Sequence, residues 1–296
     1  MRKKFDSHKC SDVKFWVIAA IKEEEHYPPD QMWEDEPAGE YAYEERLRRI
    51  KFLKKHGNAN LNALFVARRL ESYERKHRCL SGACPECGRL FQRWFVRRSE
   101  RFIDQHINKN ERELVVTTIV PCDAIIPPRQ LSSFNIINLQ RRLKYALEKA
   151  KIPDALGGID FSFNEDREGK YQPVWSVHFH LITSRESKKA FGKNLRECFL
   201  KSDVVRCPVQ IKPFENGAYG RSYALKMNFR RRIGYHEIKN KNGKIRKCRN
   251  TSSDKLRAAE RLELYTYLDK TGLADRVIFR GGKPVVNSSR VKIQQC

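Results

Sequence analysis

The chain has no apolar run longer than the seven residues from Phe15 to Ile21, whereas a membrane-spanning helix needs roughly 20. No such helix is expected. The run follows Arg2, Lys3 and Lys4, which outlines a secretory signal. Lys22, Glu23, Glu24 and Glu25 then stand where a small-residue cleavage site would be, so no signal is expected either. Acids are scarce: 36 Asp and Glu face 60 Lys and Arg, a formal charge of +24. An excess of that size points to a polyanionic partner, and nucleic acid is the most direct choice. Nine cysteines, an odd number, argue against a disulfide framework and fit a reducing cytoplasm.

Aromatic residues are plentiful, with 16 Phe, 11 Tyr and 4 Trp, and they exclude wholesale disorder. At 40% hydrophobic and 32% charged residues, the chain describes a rather polar globular protein of one large domain or two small ones. Charge is unevenly spread along it. Residues 23–45 hold ten acids and no Lys or Arg, with Pro28, Pro29, Pro37 and Gly39 among them, which reads as an exposed acidic loop. From Arg221 to Arg257 there are 13 Lys or Arg and two acids.

The patterning suggests four segments. Residues 1–78 read as a helical N-terminal region with the acidic loop, and 79–112 as a cysteine cluster followed by a basic aromatic helix. Residues 113–235 alternate strand and helix signals, and 236–296 form a basic extension with a helix near Glu260–Leu268. In the third segment, strands are expected at Glu113–Val120, Gly158–Asn164, Pro173–Thr183 and Val204–Phe214. Helices are expected at Phe134–Lys151, Arg185–Leu200 and about Ala218–Phe229. The order β-α-β-β-α-β-α predicts an α+β fold, with helices packed on an antiparallel sheet in the ferredoxin-like split βαβ arrangement.

Histidines are few, eight in all, yet His178 and His180 stand two apart inside a predicted strand. Alternate strand residues share a face, so both imidazoles point one way while Val177, Phe179 and Leu181 point to the core. Two imidazoles on one face form half of a divalent-metal site, although two hydrogen-bonded histidines on a polar face would look the same. The preceding strand alternates Asp160, Ser162 and Asn164 with Ile159, Phe161 and Phe163. Pairing through the turn at Glu165–Lys170 would let Asp160 complete the site, with Glu165 as the competing ligand. Further on, Tyr219, Tyr223 and Lys226 fall on one face of the predicted helix. A phenol is a weak nucleophile at its ordinary pKa of about 10, and a neighbouring lysine can stabilise the phenolate or hold a phosphate.

Together these motifs resemble the HUH endonuclease superfamily, specifically the rolling-circle replication initiators of plasmids and bacteriophages. Thr117 and Thr118 lie in a strand similar to the family's first motif. His178-Phe179-His180 is similar to its histidine-hydrophobe-histidine motif, and Tyr223-Ala-Leu-Lys226 to its tyrosine-x-x-lysine motif. Tyr219 resembles the second tyrosine of the two-tyrosine initiators. The resemblance spans about residues 113–229. It departs at Asp160, where plasmid initiators often have Glu. It implies a Mg²⁺- or Mn²⁺-dependent enzyme that nicks single-stranded or extruded DNA through a 5′-phosphotyrosine link and rejoins it, with host replication proteins as further partners. A transposase or relaxase of the superfamily is the alternative, though relaxases commonly use three histidines. A zinc-containing nucleic-acid-binding protein with a silent core is another.

The cluster Cys79-x4-Cys84-Pro-Glu-Cys87-Gly88 contains a CPxCG turn, a common half of a zinc site, with His77, Cys122, Cys10 and His106 as candidate fourth ligands. Buried reduced thiols are the plainer reading. Phe91, Trp94, Phe95 and Phe102 recur at helical spacing and are expected to be a core stripe. Arg230, Arg231 and Arg232, with Lys239, Lys241 and Lys244, are expected to form a phosphate track beside the tyrosines.

Overall fold

A computed structural model describes residues 8–25, 38–58, 60–73, 78–104, 113–185, 188–215, 217–241, 244–287 and 290–295. Four helices come first: α1 (His8–Glu25), α2 (Gly39–Gly57), α3 (Leu61–Glu71) and α4 (Pro85–Phe102). The break between α2 and α3 falls at Gly57 and Asn58, and Asn60 caps α3 by accepting from the Ala63 N–H. The Cys84 sulfur caps α4, and Pro85 stands in its first turn, where no N–H is required. Phe91, Trp94, Phe95 and Phe102 of α4 are fully buried, as the core reading expects. Trp16 of α1 packs its ring against Phe91 and Trp94.

The acidic-loop expectation needs correction at its start. Glu23 and Glu24 are buried in α1 rather than exposed in a loop. Glu23 pairs with Arg98, and Glu24 with Arg97 at 3.1 Å and Arg93 at 3.7 Å. The apolar run before them pulls the carboxylates inward, and the arginines of α4 compensate the cost of burying them. Glu40, Glu44 and Glu45 belong to α2, and residues 26–37 lie outside those described.

The remaining elements are β1 (Glu113–Ile119), β2 (Ile125–Ile126), α5 (Ile136–Lys149), β3 (Ala155–Asp166), β4 (Val174–Arg185), α6 (Lys188–Cys198), β5 (Val209–Pro213), α7 (Ala218–Ala224), β6 (Arg230–Lys241), β7 (Lys244–Asp254), α8 (Ala258–Thr271), β8 (Val277–Arg280), β9 (Gly282–Asn287) and β10 (Arg290–Gln295). The main sheet runs β5-β1-β4-β3-β6-β7. All neighbours in it are antiparallel except β3 and β6. The α+β class, with a mostly antiparallel sheet, is thus as expected. The basic stretch after the tyrosines is strand, with β6 and β7 paired antiparallel from Arg231 opposite Asp254 to Lys241 opposite Lys244. The sheet also draws in the C-terminal segment, since β8 pairs with the first half of β3.

Period-two alternation sets what each sheet face presents. Ile159, Phe161 and Phe163 of β3 and Val177 and Phe179 of β4 are buried in the core. Tyr267 of α8 packs its ring on Phe161, and Trp175 donates its indole N–H to Glu263 of α8 at 2.8 Å. The opposite face presents Asp160, Ser162 and Asn164 on β3 beside Ser176, His178 and His180 on β4. Helix α7 lies across that polar face.

Candidate metal centre and tyrosine pair

Asp160 and His178 are direct cross-strand partners in the β3–β4 register, and His180 lies opposite Gly158. On its other side His180 pairs in register with Thr118 of β1. Nε2 of His178 and Nε2 of His180 each lie 3.4 Å from the same carboxylate oxygen, Oδ2 of Asp160. All three side chains are buried.

The far nitrogens of both rings are held. His178 Nδ1 lies 3.1 Å from the Ser176 carbonyl, which can only accept, so Nδ1 donates there and Nε2 is the nitrogen turned to Asp160. His180 Nδ1 lies 3.0 Å from the Thr118 hydroxyl. His180 Nε2 is buried without a hydrogen-bond partner. Burial pushes the His180 imidazole down to about 4, so it is neutral at physiological pH. Burial alone would raise the Asp160 carboxyl. The two imidazole edges 3.4 Å away, with the Lys226 charge, hold it well below the usual carboxylate range instead. An orphaned imidazole nitrogen, oriented rings and a buried carboxylate fit a divalent cation, and spacings of 3.4 Å suit ligand bonds of about 2.1 Å. Glu165, the competing candidate, is turned away into ion pairs with Arg231 and Arg257.

The tyrosine helix is shorter than its sequence suggests. It ends at Ala224, because Leu225 leaves helical geometry with φ −135° and ψ 70° and buries its side chain. Lys226 therefore lies outside the helix but still reaches the site. Its Nζ sits 3.3 Å from Asp160 Oδ2 and 3.6 Å from the Tyr223 ring centroid. The Tyr223 ring lies 4.8 Å from that of His180. Tyr223 is 39% exposed and Tyr219 is 53% exposed, so both side chains are open to solvent. A cleft of about 660 Å³ joins the two tyrosines to His178, His180, Asn164 and Arg232.

Three residues that hold this arrangement carry no motif signal. Gly158 shares the face of Asp160, and a Cβ there would meet Leu225 Cδ1 at 2.5 Å and the Ala224 carbonyl at 3.0 Å, so its bareness lets α7 settle on the sheet. Arg276, fully buried, donates to the carbonyls of Ile159 and Lys226 and so ties β3 to the lysine segment. Gln92 of α4 donates to the Ser222 carbonyl at 3.0 Å, bracing α7 from behind.

The predicted basic track divides. Arg230 and Arg232 are exposed, whereas Arg231, on the other strand face, is buried between Asp254 at 2.6 Å and Glu165 at 3.4 Å. Arg231 therefore holds the sheet together rather than meeting phosphate. Lys239, Lys241 and Lys244 lie on the backbone of the β6–β7 hairpin, and their side chains are outside the described residues.

Cys79, Cys84 and Cys87 bring their sulfurs within 4.8 Å of one another, with Cys79 and Cys87 at 3.7 Å. The edge of a tetrahedron with zinc–sulfur bonds of 2.3 Å is about 3.8 Å. Three crowded thiols resist sharing charge. Hydrogen bonds from Cys84 and Cys87 pull Cys79 down to about 3, while burial pushes Cys84 up to about 12. Cys122 is exposed and outside this group. His77, His106 and the Cys10 side chain lie outside the described residues.

No family model, curated protein or solved structure matches this chain.

Proposed function

We propose that this protein is a metal-dependent nuclease and strand transferase that acts on single-stranded DNA through a phosphotyrosine link, of the kind that initiates rolling-circle replication. The observation that carries the reading is the convergence of Asp160, His178, His180, Lys226 and Tyr223, two nitrogens and an ammonium all within 3.4 Å of one carboxylate oxygen. The strand order β5-β1-β4-β3, with α5 and α6 in the two crossovers, supports a ferredoxin-like core of the HUH type.

Asp160, His178 and His180 would hold the cation, and their two nitrogens favour Mn²⁺ over the oxygen-seeking Mg²⁺. When bound, such an ion supplies Lewis-acid polarisation of a phosphate oxygen. Tyr223 supplies the nucleophile. Its Oη forms a bond to the 5′-phosphorus as the bond to the 3′-oxygen breaks. The phenolic proton passes to solvent, and the 3′-oxygen leaves as a hydroxyl by taking up a proton. Lys226, between the ring and Asp160, would pair with a phosphate oxygen. Tyr219, one turn earlier and more exposed, would make a second cut, and the 3′-hydroxyl so released attacks the first phosphotyrosine, which rejoins the strand and frees the Tyr223 phenol. The backbone at such a phenol must be unstacked, hence the single-stranded substrate. The cysteine cluster would take a structural Zn²⁺ that fixes the start of α4.

Incubating the protein with a single-stranded oligonucleotide and Mn²⁺ and running a denaturing gel tests the reading. A covalent adduct should form, vanish in Tyr223→Phe and persist in Tyr219→Phe. An adduct mapped by peptide sequencing to neither tyrosine rejects the proposal.

A further inference from the structure

The cleft over the metal centre accounts for one side of α7. On the other side a second hollow of about 330 Å³ is lined by Tyr219, Tyr223 and Lys226, and it reaches Arg230 and Tyr41. A third, of about 280 Å³, shares Tyr41, Glu45, Arg49, Asn228 and Arg230 with it and continues to Phe52, Lys255 and Arg261. The two form one trough, running from the tyrosines toward α2 and α8.

The trough's charge is one-sided. Its only lining acid, Glu45, is engaged by Arg48 and Arg49. Arg230, Lys255 and Arg261 have no ion-pair partner among the described residues. Arg261 stacks over the Phe52 ring at 4.4 Å, and its Nε is buried without a hydrogen-bond partner. Tyr41 is 52% exposed on the same wall, with the Arg48 guanidinium 5.7 Å from its ring centroid. Cations without an ion-pair partner beside an exposed aromatic side chain match a chain that alternates phosphates with unpaired bases. A folded duplex would hide the base faces, and an acidic peptide would have no use for them.

We infer that this trough binds single-stranded DNA flanking the reacting phosphate, with Arg230, Lys255 and Arg261 on the backbone and Tyr41 stacked on a base. The inference rests on the strand-transferase reading for its direction, since it takes the tyrosines as the place the strand must reach. It assigns substrate binding to α2 and α8, which lie outside the resemblance to the initiators.

The test uses the full chain and a fluorescein-labelled oligo(dT), with affinity read by anisotropy in EDTA over a range of salt. The triple variant Arg230→Gln/Lys255→Gln/Arg261→Gln is compared with Arg141→Gln/Lys144→Gln, two charges removed from the exposed face of α5. Three lost phosphate contacts at roughly 0.7 each should flatten the salt slope by about 2, and the α5 variant should leave it unchanged. Tyr41→Ala should weaken binding about tenfold with the slope kept. A slope unchanged in the triple variant, or flattened equally by the α5 variant, overturns the trough. So does competition by poly-glutamate as strong as that by unlabelled oligo(dT). The two readings fail separately. Adduct formation with full affinity in the triple variant overturns the trough alone. Weakened binding in the triple variant, with no adduct from wild type in Mn²⁺, supports the trough and overturns the nuclease.

Discussion

Lys226 Nζ lies 3.3 Å from the Asp160 carboxylate although the helix that carries Tyr223 has already ended. The lysine returns to the site because Arg276 grips its carbonyl and Leu225 is buried behind it. Lys226→Ala should therefore slow adduct formation by about 10², the usual cost of losing one charged group at a developing charge, and leave Mn²⁺ binding in place. Lys226→Arg should recover part of the rate. An alanine variant with full activity would make the lysine only a counter-charge for Asp160.

The metal centre gives a sharper expectation. His178→Ala, His180→Ala and Asp160→Ala should each abolish Mn²⁺ binding measured by calorimetry, and Mn²⁺ should bind wild type more tightly than Mg²⁺ does. Thr118→Val removes only the hydroxyl that holds His180 Nδ1, and should lower Mn²⁺ affinity by about 10-fold. Glu165→Ala should leave Mn²⁺ affinity alone and lower thermal stability, since it strips Arg231 and Arg257 of a partner. Metal affinity lost in Glu165→Ala but kept in Asp160→Ala would reverse the ligand assignment.

What the sequence shows about this site follows from periodicity. Alternation on β3 and β4 was enough to put Asp160 with the two histidines, because a strand admits only two faces and a short turn leaves little choice of register. The end of α7 was not legible. A helix stops where tertiary contacts take over, and here Leu225 is buried, Gln92 takes the Ser222 carbonyl and Arg276, some 50 positions on, holds the Lys226 carbonyl beyond the end. The same limit hid the β6–β7 hairpin, whose residues carry charge rather than a buried face. It also split the three arginines, since side chains on adjacent positions of one strand point to opposite faces.

Gly158 supplies a prediction that no motif would prompt. Gly158→Ala places a methyl 2.5 Å from Leu225 Cδ1 and should lift α7 off the sheet. Overpacking of this kind costs about 1–3 kcal/mol. Adduct formation should fall while Mn²⁺ binding survives, because the ligands sit on the strands beneath. Leu225→Ala in the same chain should restore part of the activity, and the coupling between the two changes is read as a double-mutant cycle. Strict additivity would show that the helix does not rest on this glycine.

Arg276→Met tests the tie between β3 and the lysine segment. It keeps much of the side chain's bulk but leaves the carbonyls of Ile159 and Lys226 without their donor. Buried acceptors left unpaired cost about 1–3 kcal/mol each, so the melting temperature should fall by several degrees. Adduct formation should fall further than that loss explains. Equal activity at a temperature well below both melting points would reduce Arg276 to a packing residue.

The cysteine cluster yields the last expectation. Three sulfurs within 4.8 Å of one another, one pair at the spacing of a ZnS₄ edge, should retain one zinc per chain through purification, counted by elemental analysis. Cys84→Ser keeps an oxygen that can cap α4 and removes only the thiol, and Cys87→Ser removes a thiol whose sulfur takes no part in the cap. Either change, or a strong chelator, should lower the melting temperature by about 5 °C or more, because metal binding at such a site is folding energy. Gln92 links α4 to the Ser222 carbonyl, so adduct formation should decline with zinc loss even though the metal lies away from the tyrosines. Re-addition of Zn²⁺ should restore both. A wild-type chain that carries no zinc, and melts alike with and without chelator, would leave these three as ordinary buried thiols.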